Sequence, residues 1–104
     1  MVADLETIKE EAKRYADEVR RLFPVDRVYL FGSYAKGTAD EGSDTDICFF
    51  LRDFGGKKRI DIGISLLNIA CAYKAYFEPL VFETSDMGMN NPFVNEILST
   101  GIEI

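Results

Sequence analysis

Gly32-Ser33-Tyr34-Ala35-Lys36-Gly37-Thr38-Ala39-Asp40-Glu41-Gly42-Ser43-Asp44-Thr45-Asp46 is the stretch on which the reading turns. It contains two devices. The first is a Gly-Ser turn directly after Arg27-Val28-Tyr29-Leu30-Phe31, a β-branched and aromatic run that predicts a short buried strand. Gly32 lets the backbone bend and leaves room for a ligand at the strand end. Ser33 offers a hydroxyl, and a helix starting here would point free N–H groups outward, an arrangement that binds phosphate. By itself the Gly-Ser pair is a weak signal, because any strand-to-helix turn can use it. The second device is Asp44-Thr45-Asp46 at the mouth of the next strand. Residues i and i+2 of a strand project on one face, about 7 Å apart at their backbones. Two bare carboxylates at that spacing repel, and a divalent cation removes the conflict. Hard oxygen ligands on a strand suit Mg²⁺, which completes its shell with water and substrate phosphate. Taken alone, Asp-Thr-Asp is more often a pair of solvated acids at a strand start than a metal site.

Outward from this segment, residues 45–51 predict a second strand, with Ile47, Phe49 and Leu51 on one face and Asp46, Cys48 and Phe50 on the other. On the N-terminal side, Leu5, Ile8, Ala12, Tyr15, Val19 and Leu22 recur at steps of three and four, predicting an amphipathic helix over 4–23. Asp4 is placed to cap it and Pro24 to stop it. On the C-terminal side, residues 58–74 fit two patterns. Ile60, Ile62, Ile64 and Leu66 alternate as in a strand, whereas Ile60, Ile64, Leu67 and Cys71 fit a helix face. The apolar character outlasts a usual strand, so a helix is expected. Tyr76–Phe82 predicts a third strand, with Pro79 marking an edge or a bulge. Asn91 and Pro92 suit the N-cap and first turn of a last helix, Gly101 suits its C-terminal end, and 102–104 can add a terminal strand. The expected fold is a small α/β (α+β) domain, one mixed β-sheet with helices packed on it, occupying residues 1–104 as a single unit.

Composition narrows the function. The chain has 104 residues, 47% of them apolar, with no His and a net charge of −6. Catalysis through a His base or His-ligated zinc is excluded. The acidic balance argues against direct nucleic-acid binding by surface charge, which needs clustered Lys and Arg. No apolar run reaches the ~20 residues of a membrane span, and the first residues lack a signal-peptide pattern, so a cytoplasmic protein is expected. Cys48 and Cys71 stand far apart in apolar surroundings and are expected to be buried reduced thiols.

The conjunction is more specific than either device. Gly32-Ser33, ten residues, then Asp44-x-Asp46 resembles the DNA polymerase beta-like nucleotidyltransferase superfamily, and within it the minimal nucleotidyltransferase (MNT) proteins of about this length. The likeness spans nearly the whole chain, including Val28-Tyr29-Leu30-Phe31, Ala35-Lys36-Gly37, Ser43-Asp44-Thr45-Asp46 and Ile97-Leu98-Ser99-Thr100-Gly101-Ile102. The resemblance implies that Gly32 and Ser33, with Lys36 and Ser43, hold the nucleotide triphosphate. It implies that Asp44, Asp46 and a third carboxylate bind two Mg²⁺ ions and carry catalysis. The family places an Asp early in the following strand; here Glu78 stands there, one methylene longer. Glu83 and Asp61 are weaker candidates, and Lys36 stands where many relatives carry Arg.

The resemblance further implies AMP transfer from ATP to a hydroxyl. MNT proteins typically pair with a HEPN-domain toxin as its antitoxin, and a tyrosine of that toxin is the expected acceptor. An apolar surface around Met87, Met89, Phe93 and Tyr73 is the expected interface, with a homodimer as another use of an uncovered face. Two other readings stay open: an antitoxin that masks its partner without turnover, and a transferase acting on a small molecule or an RNA end.

Overall fold

The computed structural model describes residues 5–32, 35 and 44–104. Helix α1 (Leu5–Arg20) leads into strand β1 (Val25–Phe31), followed by β2 (Thr45–Leu51), α2 (Arg59–Ala70), β3 (Phe77–Glu83), a short 3-10 helix (Thr84–Gly88), α3 (Pro92–Thr100) and β4 (Ile102–Glu103). The four strands form one mixed sheet in the order β3-β2-β1-β4. β1 runs antiparallel to both β2 and β4, while β2 and β3 are parallel, joined by the α2 crossover. A parallel pair needs such a crossover, because no tight turn can return the chain in the same direction.

The sheet buries both faces. Val28, Leu30, Ile47, Phe49 and Leu51 pack against Ile8, Ala12, Tyr15, Ala16 and Val19 of α1 and against Ile62, Leu66 and Ala70 of α2. Tyr29, Cys48 and Phe50 meet Val94 and Ile97 of α3 on the other side. The Tyr15 hydroxyl lies within the first core and donates to Leu66 O at 2.7 Å, tying α1 to α2. Burial pushes that hydroxyl well above its ordinary range. Burial likewise pushes the Cys48 thiol up to about 12.

Several expectations are corrected. α1 ends at Arg20, and the N–H groups of Arg21 and Leu22 close onto Glu18 O and Val19 O. The helical period therefore lapses before Leu22, which is 65% exposed, and Phe23 packs on the core instead. The helix predicted over 58–74 forms, but its buried stripe is Ile62, Leu66 and Ala70. Ile60, Ile64 and Leu67 face out. Cys71 follows that outward stripe and is exposed, so only Cys48 is buried; both are free thiols. Asp4, placed to cap α1, lies outside the described residues.

The end of the chain matches its local signals. Asn91 caps α3, its side chain accepting from Phe93 N at 2.9 Å and from Val94 N, with Pro92 in the first turn. Asn91→Ala is expected to cost about 1 kcal/mol, read as a lower urea midpoint at unchanged slope. Gly101 ends α3 with φ −75°, outside the left-handed region. Its value is room: a β-carbon there would lie 2.9 Å from Leu30 O and would also overlap Ile97 O. No helix among the described residues is long and apolar enough to cross a membrane.

Candidate functional site

The site begins with one backbone bond. Thr45 is buried at the head of β2, and its N–H donates to Tyr76 O at 2.8 Å. That bond sets the parallel register, so Asp46 stands directly beside Glu78, and Cys48 and Phe50 stand beside Leu80 and Phe82. On the other side Asp46 is paired with Phe31, the last residue of β1. The end of β1, the start of β2 and the start of β3 thus meet at one mouth of the sheet.

Gly32 closes that mouth with φ +75°, in the left-handed region. A β-carbon at this position would overlap Asp46 Oδ2. Glycine is needed here twice, for its backbone angle and for the space its missing side chain leaves to the carboxylate.

The Asp46 carboxyl is half-buried and hydrogen-bonded to Glu78. Its pKa is raised from 3.8 to about 6, chiefly by burial, then by the Glu78 hydrogen bond and charge, and then by the charge of Asp44. Glu78 and Asp44 are exposed. The structure therefore brings Gly32, Asp44, Asp46 and Glu78 to one place. Ser33, Lys36 and Ser43 lie outside the described residues. Glu83 is at the far end of β3, beside Leu51, where its side chain caps the 3-10 helix; Asp61 is exposed on α2.

Among the described residues, no group of three or more acidic, Cys or His side chains is gathered into a metal cage. The donor set is an open ledge of two paired carboxylates with a third acid adjacent. That arrangement fits Mg²⁺, which binds through one or two carboxylates plus substrate phosphates rather than in a dedicated protein cage.

The site continues into a groove that the motif reading missed. About 710 Å³ in volume, it runs from Asp46 and Glu78 past Pro79 and Leu80 to Ile64 and Arg59 of α2. Arg59 closes the far end, 5.2 Å over the Phe82 ring and 3.6 Å from Asp86. The signal available in the sequence was that α2 carries two apolar stripes, of which the sheet can cover one. The interface expected around Met87, Met89, Phe93 and Tyr73 is not one surface. Tyr73 packs on the α1 side of the sheet and Met87 on the α3 side, while Met89 and Phe93 are exposed.

Comparison with known proteins bears on the family and the fold. Residues 12–85 match the family model described as "Nucleotidyltransferase domain". A Methanocaldococcus jannaschii protein named "Putative protein adenylyltransferase" is 28% identical, over 96% of this chain and 97% of its own. A second protein of that organism with the same description is 35% identical, over 74% of this chain and 55% of its own length. Among solved structures, a "putative nucleotidyltransferase" from Sulfolobus solfataricus superposes with a TM-score of 0.67 at 20% identity, covering 95% of this chain and 80% of that one. A chain of a toxin-antitoxin crystal structure with AMP-PNP gives 0.55 at 21% identity, covering 86% of this chain and 69% of that one.

Proposed function

The chain belongs to the nucleotidyltransferase domain family, and from that premise we propose that it transfers AMP from ATP to a hydroxyl of a partner protein, a tyrosine of a HEPN toxin for which it serves as antitoxin. The observation that carries the reading is the in-register Asp46–Glu78 pair, set against Gly32 where no β-carbon could stand. The protein-adenylyltransferase description of the Methanocaldococcus relatives and the likeness to a toxin-antitoxin chain support the choice of acceptor.

In this reading the roles divide by position. Gly32 and Ser33, with Lys36 and Ser43, hold the triphosphate. Asp44, Asp46 and Glu78 would hold Mg²⁺, which when bound supplies charge stabilisation at the phosphates and lowers the energy of the deprotonated acceptor. The acceptor oxygen forms a bond to the α-phosphorus as the bond to the departing pyrophosphate breaks. A carboxylate of the Asp46–Glu78 pair takes the hydroxyl proton. Accepting it requires both carboxyls of the pair to be ionised beforehand, the state that bound Mg²⁺ would favour.

Calorimetric titration with a non-hydrolysable ATP analogue, with and without Mg²⁺, tests the site. Binding is expected to need the metal and to disappear in the Asp44→Asn/Asp46→Asn variant. Incubation of protein, labelled ATP and a co-purified HEPN toxin should then place AMP on a toxin tyrosine. A double variant that still neutralises the toxin at full strength would replace catalysis with masking.

A further inference from the structure

The groove leading from the carboxylates offers an unusual surface for an acidic chain. Ile60, Ile64 and Leu67 are 68%, 52% and 48% exposed, and they stand at i, i+4 and i+7 on one face of α2. Leu80 of β3, 38% exposed, lies in the same groove. Single exposed apolar residues need no explanation, but a contiguous run rimmed by charge marks an interaction surface.

The free edge of β3 tells what kind of segment can lie there. Because Thr45 N–H donates to Tyr76 O, residues 76, 78, 80 and 82 turn their backbone groups toward β2. Phe77, Pro79, Val81 and Glu83 turn theirs outward. Of these, Phe77 N–H donates to Ala75 O, Pro79 has no N–H, and Glu83 N–H donates to the Asp86 carboxylate at 3.1 Å. An added strand would find three of four outward donors missing, so the sheet does not extend here. The groove must be filled by side chains, and the ridge on α2 has the spacing that packs against another helix.

Charge selects the helix. Asp46 and Glu78 stand at one end of the groove with Asp44 nearby, and Arg59 at the other end is engaged by Asp86. A second copy of this chain, also at net charge −6, meets like charge on approach. A helix with Lys or Arg beside its apolar stripe meets no such cost.

We propose that the groove between α2 and β3 seats an amphipathic, basic-flanked helix of the acceptor protein, presenting its hydroxyl at the Asp46–Glu78 end. The proposal deepens the transferase reading above and rests on it for the identity of the occupant as acceptor. Its test uses fluorescein-labelled peptides of about 18 residues, roughly five helical turns. One has a Leu stripe, Lys flanks and a Tyr at one end. A second has the same composition with the stripe scrambled, and a third has Glu in place of Lys. Anisotropy titrations against the full chain are expected to show the striped basic peptide binding about tenfold or more tighter than both controls. The Ile64→Lys/Leu67→Lys variant should lose that preference while keeping its circular dichroism spectrum and melting temperature, since both side chains are exposed. Equal binding of striped and scrambled peptides, or unchanged binding to the variant, overturns the proposal. So does a wild-type dimer in sedimentation that the variant converts to monomer, which would assign the groove to a second copy. A parallel Mg²⁺–nucleotide titration separates the two failures. Intact nucleotide binding without striped-peptide preference rejects the helix and leaves the transferase site standing, whereas peptide preference without nucleotide binding does the reverse.

Discussion

Asp46→Asn is expected to make the metal-free protein melt higher while removing its transferase activity. The native carboxyl has its pKa raised from 3.8 to about 6. A raised carboxyl pKa means the folded state favours the protonated form. The cost is absent below pH 4, grows as pH rises toward 6, and stays constant above it. At pH 7 the shift corresponds to roughly 3 kcal/mol before screening, and partial solvent exposure reduces that to about 1 kcal/mol. Asparagine keeps the shape, donates to Glu78 and carries no charge. In EDTA at pH 7 its melting temperature should exceed that of wild type by roughly 5 °C, and the difference should vanish at pH 4. AMP transfer, assayed with Mg²⁺ and ATP, should fall by on the order of 10³-fold if Asp46 holds the metal as proposed. An inactive variant less stable than wild type at pH 7 would mean that Asp46 is a structural partner of Glu78.

Gly32→Ala is expected to damage both properties together. The left-handed angle costs an alanine about 1 kcal/mol, and its β-carbon would run into Asp46 Oδ2. The carboxylate must move, and a misplacement of about 1 Å in such a site costs on the order of 10² in rate. A thermodynamic cycle isolates the collision. In an Asp46→Ala background the same substitution should cost less in stability by about 1 kcal/mol, the remainder being backbone strain alone. Equal costs in both backgrounds would show that position 32 senses only its own dihedral angle.

The readable part of the site was local. Asp44 and Asp46 stand two apart at a strand start, and strand period alone put Asp46 on the Cys48 and Phe50 face. Glu78 was readable as a lone acid among apolar strand residues, yet its place beside Asp46 depends on a parallel register set by Thr45 and Tyr76, which no local pattern encodes. α2 shows the limit most clearly. Periodicity states which residues share a face, not which face meets the sheet. With Ile60, Ile64 and Leu67 on one stripe and Ile62, Leu66 and Ala70 on another, the sequence fits either orientation, and only packing against α1 and the sheet selects the second. The groove was lost with that choice. Gly101 was placed correctly at a helix end for an incomplete reason, because the crowding by Leu30 O comes from a distant strand.

The crossover through α2 has a consequence for the order in which the protein is made. Asp46 leaves the ribosome with β2, but its neighbour Glu78 follows only after α2 is complete, and the parallel pairing that joins them is a late, non-local event. A nascent or prematurely terminated chain therefore carries β1, its glycine turn and half of a carboxylate pair, with nothing opposite Asp46 to share its proton. The Asp46–Glu78 pair is therefore complete only once β3 has docked on β2.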